Sequence, residues 1–88
     1  MQIETEAFIL GKTNIHSSKT GKDFVKFALV IEGELATFFV PAQVGEKMAQ
    51  AKPFQELAKT HAPTRCVAIV NLRFTERGVY SDLVGIKG

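Results

Sequence analysis

The chain reads as an all-β domain, a small barrel of five strands with a short helical insert between the third and the fourth. Three observations carry that expectation. Apolar and polar side chains alternate at period two over several runs, most clearly from Asp23 to Ile31. Between Ala42 and His61 the apolar spacing lengthens to that of a helix. Glycine-bearing turns punctuate the rest, at Gly21, Gly33 and Gly78. At 88 residues, 45% of them hydrophobic and 23% charged, the chain suits one folded domain over 1–88 with a modest core.

Gln2 to Lys12 reads as the first strand. Ile3, Thr5, Ala7 and Ile9 share one face; Gln2, Glu4, Glu6, Phe8 and Leu10 share the other, which passes from acidic to apolar midway. Gly11 is a site for a bulge. A polar turn from Asn14 to Lys22 leads into the second strand, with Gly21 supplying backbone freedom at the reversal. In that strand Val25, Phe27, Leu29 and Ile31 form the core face, and Phe24, Lys26, Ala28 and Val30 the opposite one. Glu32-Gly33-Glu34 closes a hairpin onto a third strand, Leu35 to Val40, stopped by Pro41. Alternation sends either Phe38 or Phe39 inward and leaves the other for a ligand, a helix or a partner subunit.

Val44, Met48 and Ala51 lie at helical spacing; Phe54, Leu57 and Ala58 resume it after Pro53, so the insert reads as two short helices plugging a sheet. Arg65 to Thr75 is a fourth strand, Glu76-Arg77-Gly78 a tight turn and Val79 to Ile86 a fifth strand. This order of elements is that of an OB-fold, whose sheet around strands two and three often binds oligonucleotides. An SH3-like barrel has five strands too, without so long a helical insert at that point. Phe8, Phe27 and Phe54 are expected in the core.

The sequence argues against catalysis. Ser17 and Ser18 have no nucleophile-elbow glycines around them, the glutamates are dispersed, and His16, His61 and Cys66 have no metal-ligand spacing. No metal, cofactor or small-molecule substrate is expected. Cys66, alone in an apolar strand, is a small buried hydrophobe. A single cysteine, the lack of a charged-then-apolar leader and the lack of a long apolar run give the expectation of a cytoplasmic protein that does not enter a membrane. The net charge of +2 is too small to identify a partner, so any electrostatic binding depends on where the cations sit.

They gather around one stretch. Lys19 and Lys22 stand in the turn before Phe24 and Lys26, placing a ring among ammonium groups, as in proteins that stack bases and neutralise phosphates of unpaired strands. The expected nucleic-acid contacts are Lys12, Lys19, Lys22, Lys26, Arg73 and Arg77 for phosphate, with Phe24, Tyr80 and Phe74 for stacking.

Ser17-x-Lys19-x-Gly21-Lys22-x-Phe24, an alternating strand and a short acidic hairpin together resemble the small single-stranded DNA-binding proteins of filamentous phages. Gly21-Lys22 leading into Phe27-Ala28-Leu29 is similar, more loosely, to the bacterial single-stranded DNA-binding proteins. The resemblance covers the first half of the chain and, loosely, the last hairpin. It implies a five-stranded OB-fold, a homodimer, and sequence-tolerant binding of single-stranded DNA or RNA in replication or transfer of phage or plasmid DNA. It also implies Lys19 and Lys22 on phosphates and Phe24 on a base. Two departures stand out: Arg77 occupies the hairpin tip where the phage proteins carry an aromatic, and the helical insert is longer than theirs, closer to the cellular pattern. The rival expectation is an OB-fold interaction module that pairs its Phe38-Phe39-Val40 strand with a replication or conjugation protein and does not touch DNA.

Overall fold

The computed structural model describes all residues from Met1 to Gly88. Alternation makes strands wherever the sequence alternates: β1 (Gln2–His16), β2 (Asp23–Ile31), β3 (Glu34–Pro41), β4 (Thr64–Thr75) and β5 (Gly78–Lys87). They form one antiparallel sheet in the order β3-β2-β1-β4-β5, curled into a half-barrel whose edge strands β3 and β5 approach each other without pairing.

β1 is the hinge of this sheet. Its first half pairs with β4, from Gln2 opposite Asn71 to Ile9 opposite Thr64, and its second half with β2, from Ala7 opposite Ile31 to His16 opposite Asp23. Between Ile9 and Gly11 the register with β2 slips, leaving Leu10 as the extra residue of a bulge. A bulge bends the strand and increases its twist, which lets one strand serve both halves. It also reverses the alternation: Ala7 and Ile9 point inward before it, whereas beyond it Lys12 and Asn14 lie opposite the core residues Phe27 and Val25. The strand therefore runs four residues past the expected Lys12 end, and the turn shortens to Ser17–Lys22.

Glu32 and Gly33 form a two-residue hairpin loop, both at positive φ (53° and 80°), the twist that matches antiparallel strands. The insert is two helices, α1 (Ala42–Met48) and α2 (Lys52–Thr60), with Pro53 in the first turn of the second. α1 packs on β2 and β3, and α2 on β1, β4 and β5. The core joins Ala7, Ile9, Val25, Phe27, Leu29, Phe38, Val40, Met48, Phe54, Cys66, Ala68, Val70, Leu83 and Ile86. Phe54 of α2 meets Phe27 with ring centroids 5.5 Å apart, tilted by 56°, a favourable edge-on geometry. Phe8 departs from expectation: it is 47% exposed, because it lies on the outward side of β1 opposite Val30 and Arg65. No helix is long and apolar enough to cross a membrane.

Candidate nucleic-acid interface

The outward face of β1, β2 and β3 is built row by row from their registers, because directly opposed residues of antiparallel strands share a side. One row is Ile15, Phe24 and Pro41; the next is Thr13, Lys26 and Phe39; the third is Gly11, Ala28 and Thr37. Strands lie ~4.8 Å apart and alternate residues ~6.8 Å along a strand, so Phe24, Lys26 and Phe39 form a compact triangle. Strand alternation resolves the Phe38/Phe39 pair. Phe38 is buried, and Phe39 is 62% exposed beside Lys26. Phe24 and Lys26 are half-buried.

The lysine turn borders this face and is held in shape. Ser17 N–H donates to the Lys22 carbonyl at 2.9 Å, and Gly21 N–H, at φ 68°, donates to the Ser17 carbonyl at 2.8 Å. Lys22 N–H donates to Thr20 Oγ1 at 3.3 Å. At the base of the turn, His16 Nδ1 lies 2.6 Å from the Asp23 carboxylate. Lys19, Lys22 and Lys26 form no ion pair, and Asp23, the nearest carboxylate in sequence, is engaged by His16.

The remaining expected contacts separate from this group. Lys12 lies opposite Phe27, on the helix-bearing side of the sheet, near Phe54 and Ala58 of α2. The bulge at Leu10 put it there. Arg73, Phe74, Arg77 and Tyr80 belong to the β4–β5 hairpin, beyond the Gln2 end of β1, while the lysine turn is beyond its His16 end. Arg73 and Tyr80 are directly opposed, and the guanidinium carbon lies 5.6 Å from the ring centre. Arg73 is also held at 2.7 Å by Asp82. Phe74, opposed to Val79, is on the reverse side of the hairpin from Tyr80. Arg77 is exposed and unpaired at the tip.

No protein-family model, curated protein or solved structure matches this chain.

Lys26 and Phe24 are among the contacts expected from the sequence, whereas alternation alone leaves Phe39 open. The signal that places Phe39 is its register against Lys26, and that register depends on a two-residue Glu32-Gly33 loop rather than a three-residue turn. The one perturbed titrating group, Cys66, is a core residue whose thiol is pushed up to about 11 by burial, so it is protonated at neutral pH and unreactive. No cluster of three or more histidine, cysteine or acidic side chains is positioned to hold a metal.

Proposed function

We propose that this chain is a five-stranded OB-fold that binds single-stranded DNA, or RNA, with little sequence preference. The fold assignment is supported by the strand order β3-β2-β1-β4-β5, a β1 shared between both halves, and helices between β3 and β4. The observation that carries the binding reading is the open face on which Phe24, Lys26 and Phe39 adjoin, flanked by the unpaired Lys19 and Lys22. Rings stack on any base and ammonium groups meet any backbone phosphate, so such a face is tolerant of sequence. Duplex DNA hides its base faces and fits this surface poorly. A role in replication or transfer of phage or plasmid DNA follows from that activity together with the family resemblance.

A homodimer is part of the proposal. Phe74 and Val79, directly opposed on the β4–β5 hairpin, are 65% and 59% exposed and give a second copy an apolar surface to cover. Sedimentation showing monomer alone at high concentration removes that part.

The decisive measurement is fluorescence anisotropy of labelled oligo-dT and of a matched duplex over a salt series. Binding of the single strand should be tighter, and its log affinity should fall linearly with log salt by ~0.7 per phosphate neutralised. Absence of oligo-dT binding at low salt refutes the reading. One observation favours the rival interaction module: β3 is an edge strand with Phe39 on its surface. If that reading holds, Phe39→Ala abolishes capture of a protein partner and leaves no oligonucleotide affinity to lose.

A further inference from the structure

β1 leaves β2 at Ala7, yet continues to Gln2 against β4. Over Gln2–Glu6 one edge of β1 is paired and the other has no strand beside it. Facing that free edge, across a cleft, is the β2–β3 hairpin loop. The cleft opens on both sides of the sheet. Its outer depression, of about 580 Å³, is bordered by Glu4, Glu6, Phe8, Val30, Glu32 and Arg65. Its inner depression, of about 330 Å³, is bordered by Ile3, Thr5, Ile31, Ala36, Phe38 and Val70. Thr5 and Glu32 line both. Within this wall Ile3 is 38% exposed, and Ile31 and Ala36 are only half-buried.

We infer that this cleft takes up an extended peptide of alternating aliphatic and Lys/Arg residues, which pairs its backbone with the free edge of β1 as an added strand. The chemistry of the occupant follows from the two sides of the slot. An added strand sends alternate side chains to opposite faces. Those on the inner side meet Ile3, Ile31, Ala36 and Val70 and must be aliphatic. Those on the outer side run beside Glu4 and Glu6, with Glu32 across the cleft, while Glu34, opposite Ile31, stands at the rim of the inner depression. Glu6 is paired with Arg65 at 2.5 Å and Glu4 with Lys87, whereas Glu32 and Glu34 have no cation. On the outer side three carboxylates therefore meet two cations, Glu34 adds a fourth from the rim of the inner depression, and the excess negative charge selects lysine or arginine.

The same charges exclude the simplest competitor. A second copy adding its own Gln2–Glu6 edge would bring Glu4 and Glu6 against their counterparts, a like-charge pairing across strands that is unfavourable. The site is distinct from the Phe24–Lys26–Phe39 face, from which it differs in sign of charge, and it stands whether or not that face binds nucleic acid.

The test is a titration of the ¹⁵N-labelled full chain with a blocked octapeptide of alternating lysine and valine, followed by amide chemical shifts. Shifts should change at Gln2–Glu6 and Val30–Leu35. The double variant Glu32→Lys, Glu34→Lys changes two exposed positions, one in the loop and one at the start of β3, and its retained fold is checked by spectral dispersion. It should weaken the peptide about tenfold or more, while its oligo-dT affinity is not reduced. A peptide N-methylated along its pairing edge should give no shifts, because it cannot extend the ladder. The inference is overturned if a glutamate–valine peptide binds equally, or if the N-methylated peptide binds as well as the parent. It also falls if the shifts appear only around Ser17–Lys26, or if they arise without peptide as the chain is concentrated.

Discussion

The two flanks of β1 carry similar residues and arrange them oppositely. On the β2–β3 side, Lys26 stands between Phe24 and Phe39 with no carboxylate in reach. On the β4–β5 side, Arg73 shares a pair with Tyr80 but is held by Asp82, Arg65 by Glu6 and Lys87 by Glu4. Exposed ion pairs of this kind add little to stability. Their effect is to occupy the cation, which must first be released before it can meet a phosphate. An aromatic beside a cation is thus left open on one flank and closed by a carboxylate on the other. The difference lies in the carboxylate in the neighbouring row, not in the aromatic or the cation.

The largest expected effect tests that difference directly. Phe39→Ala should cost about 1–3 kcal/mol of oligo-dT binding, roughly 10- to 100-fold in affinity. Phe24→Ala, whose ring is partly covered, falls toward the lower end of that range. Tyr80→Ala, whose ring already lies against Arg73, should cost less than about 1 kcal/mol. Anisotropy titrations of the three variants in one buffer suffice. A larger loss at Tyr80 than at Phe39 would invert the comparison and move the interface to the β4–β5 flank.

Two glycines extend the comparison from the surface to its support. Gly45 of α1 lies against β2, and a Cβ placed there would sit 2.7 Å from Val25 Cβ and Cγ2. Val25 is buried and its Cβ cannot yield without moving the strand that carries Phe24 and Lys26. Gly45→Ala should therefore destabilise the fold by about 1–3 kcal/mol despite the better helix propensity of alanine. On β5, a Cβ at Gly85 would meet the Cδ1 of Ile69 at 3.2 Å, the far end of a side chain that can turn aside. Gly85→Ala should cost under about 1 kcal/mol. Urea unfolding of both variants measures the gap; equal midpoints would show that α1 does not brace the β2–β3 flank.

Below the β4–β5 flank, Cys66 reports on how tightly that half is closed. Its folded thiol titrates near 11 against an ordinary 9.0 because burial disfavours the thiolate. The unfolded chain loses this proton first, so the contribution is constant below pH 9 and stability falls as pH rises from 9 toward 11. The loss attributable to Cys66 should reach roughly 1 kcal/mol by pH 10. It is read as the extra alkaline destabilisation of the parent over Cys66→Ala, each compared with its own value at pH 7. Parallel pH profiles would mean that the thiol is already in contact with water.

What was legible in the sequence, and what was not, follows the same division. Period-two alternation placed Val25, Phe27 and Leu29 in the core, and the change of period placed two helices with Pro53 at the start of the second. The Gly11 bulge was legible as a position; its consequence was not. One extra residue at Leu10 turned Lys12 to the helix side and lengthened β1 to His16. Phe8 was expected inside from its hydrophobicity, but its neighbours Ile9 and Ala7 take the inward positions. Pairings between residues far apart in sequence were invisible too. Nothing local to Arg73 announces Asp82, and nothing local to Lys26 announces Phe39, because each contact depends on a register set by a loop several residues away.

The smallest expected effect is also the most discriminating. Asp82→Asn removes the carboxylate from Arg73 and keeps the side chain's size, so the pair with Tyr80 is left intact while the guanidinium becomes free. If the carboxylate alone silences that flank, the variant should gain a phosphate contact. Oligo-dT affinity at low salt should then rise a few-fold, and the slope of log affinity against log salt should steepen by up to ~0.7. Lys26→Gln should shift the same slope by a similar amount in the other direction, since its cation has no carboxylate to lose. If Asp82→Asn leaves both affinity and slope unchanged while Lys26→Gln alters them, the two flanks differ in position along the bound strand and not merely in charge pairing. A path confined to the lysine turn, Phe24, Lys26 and Phe39 is short, and the site size measured by stoichiometric titration should then be correspondingly small.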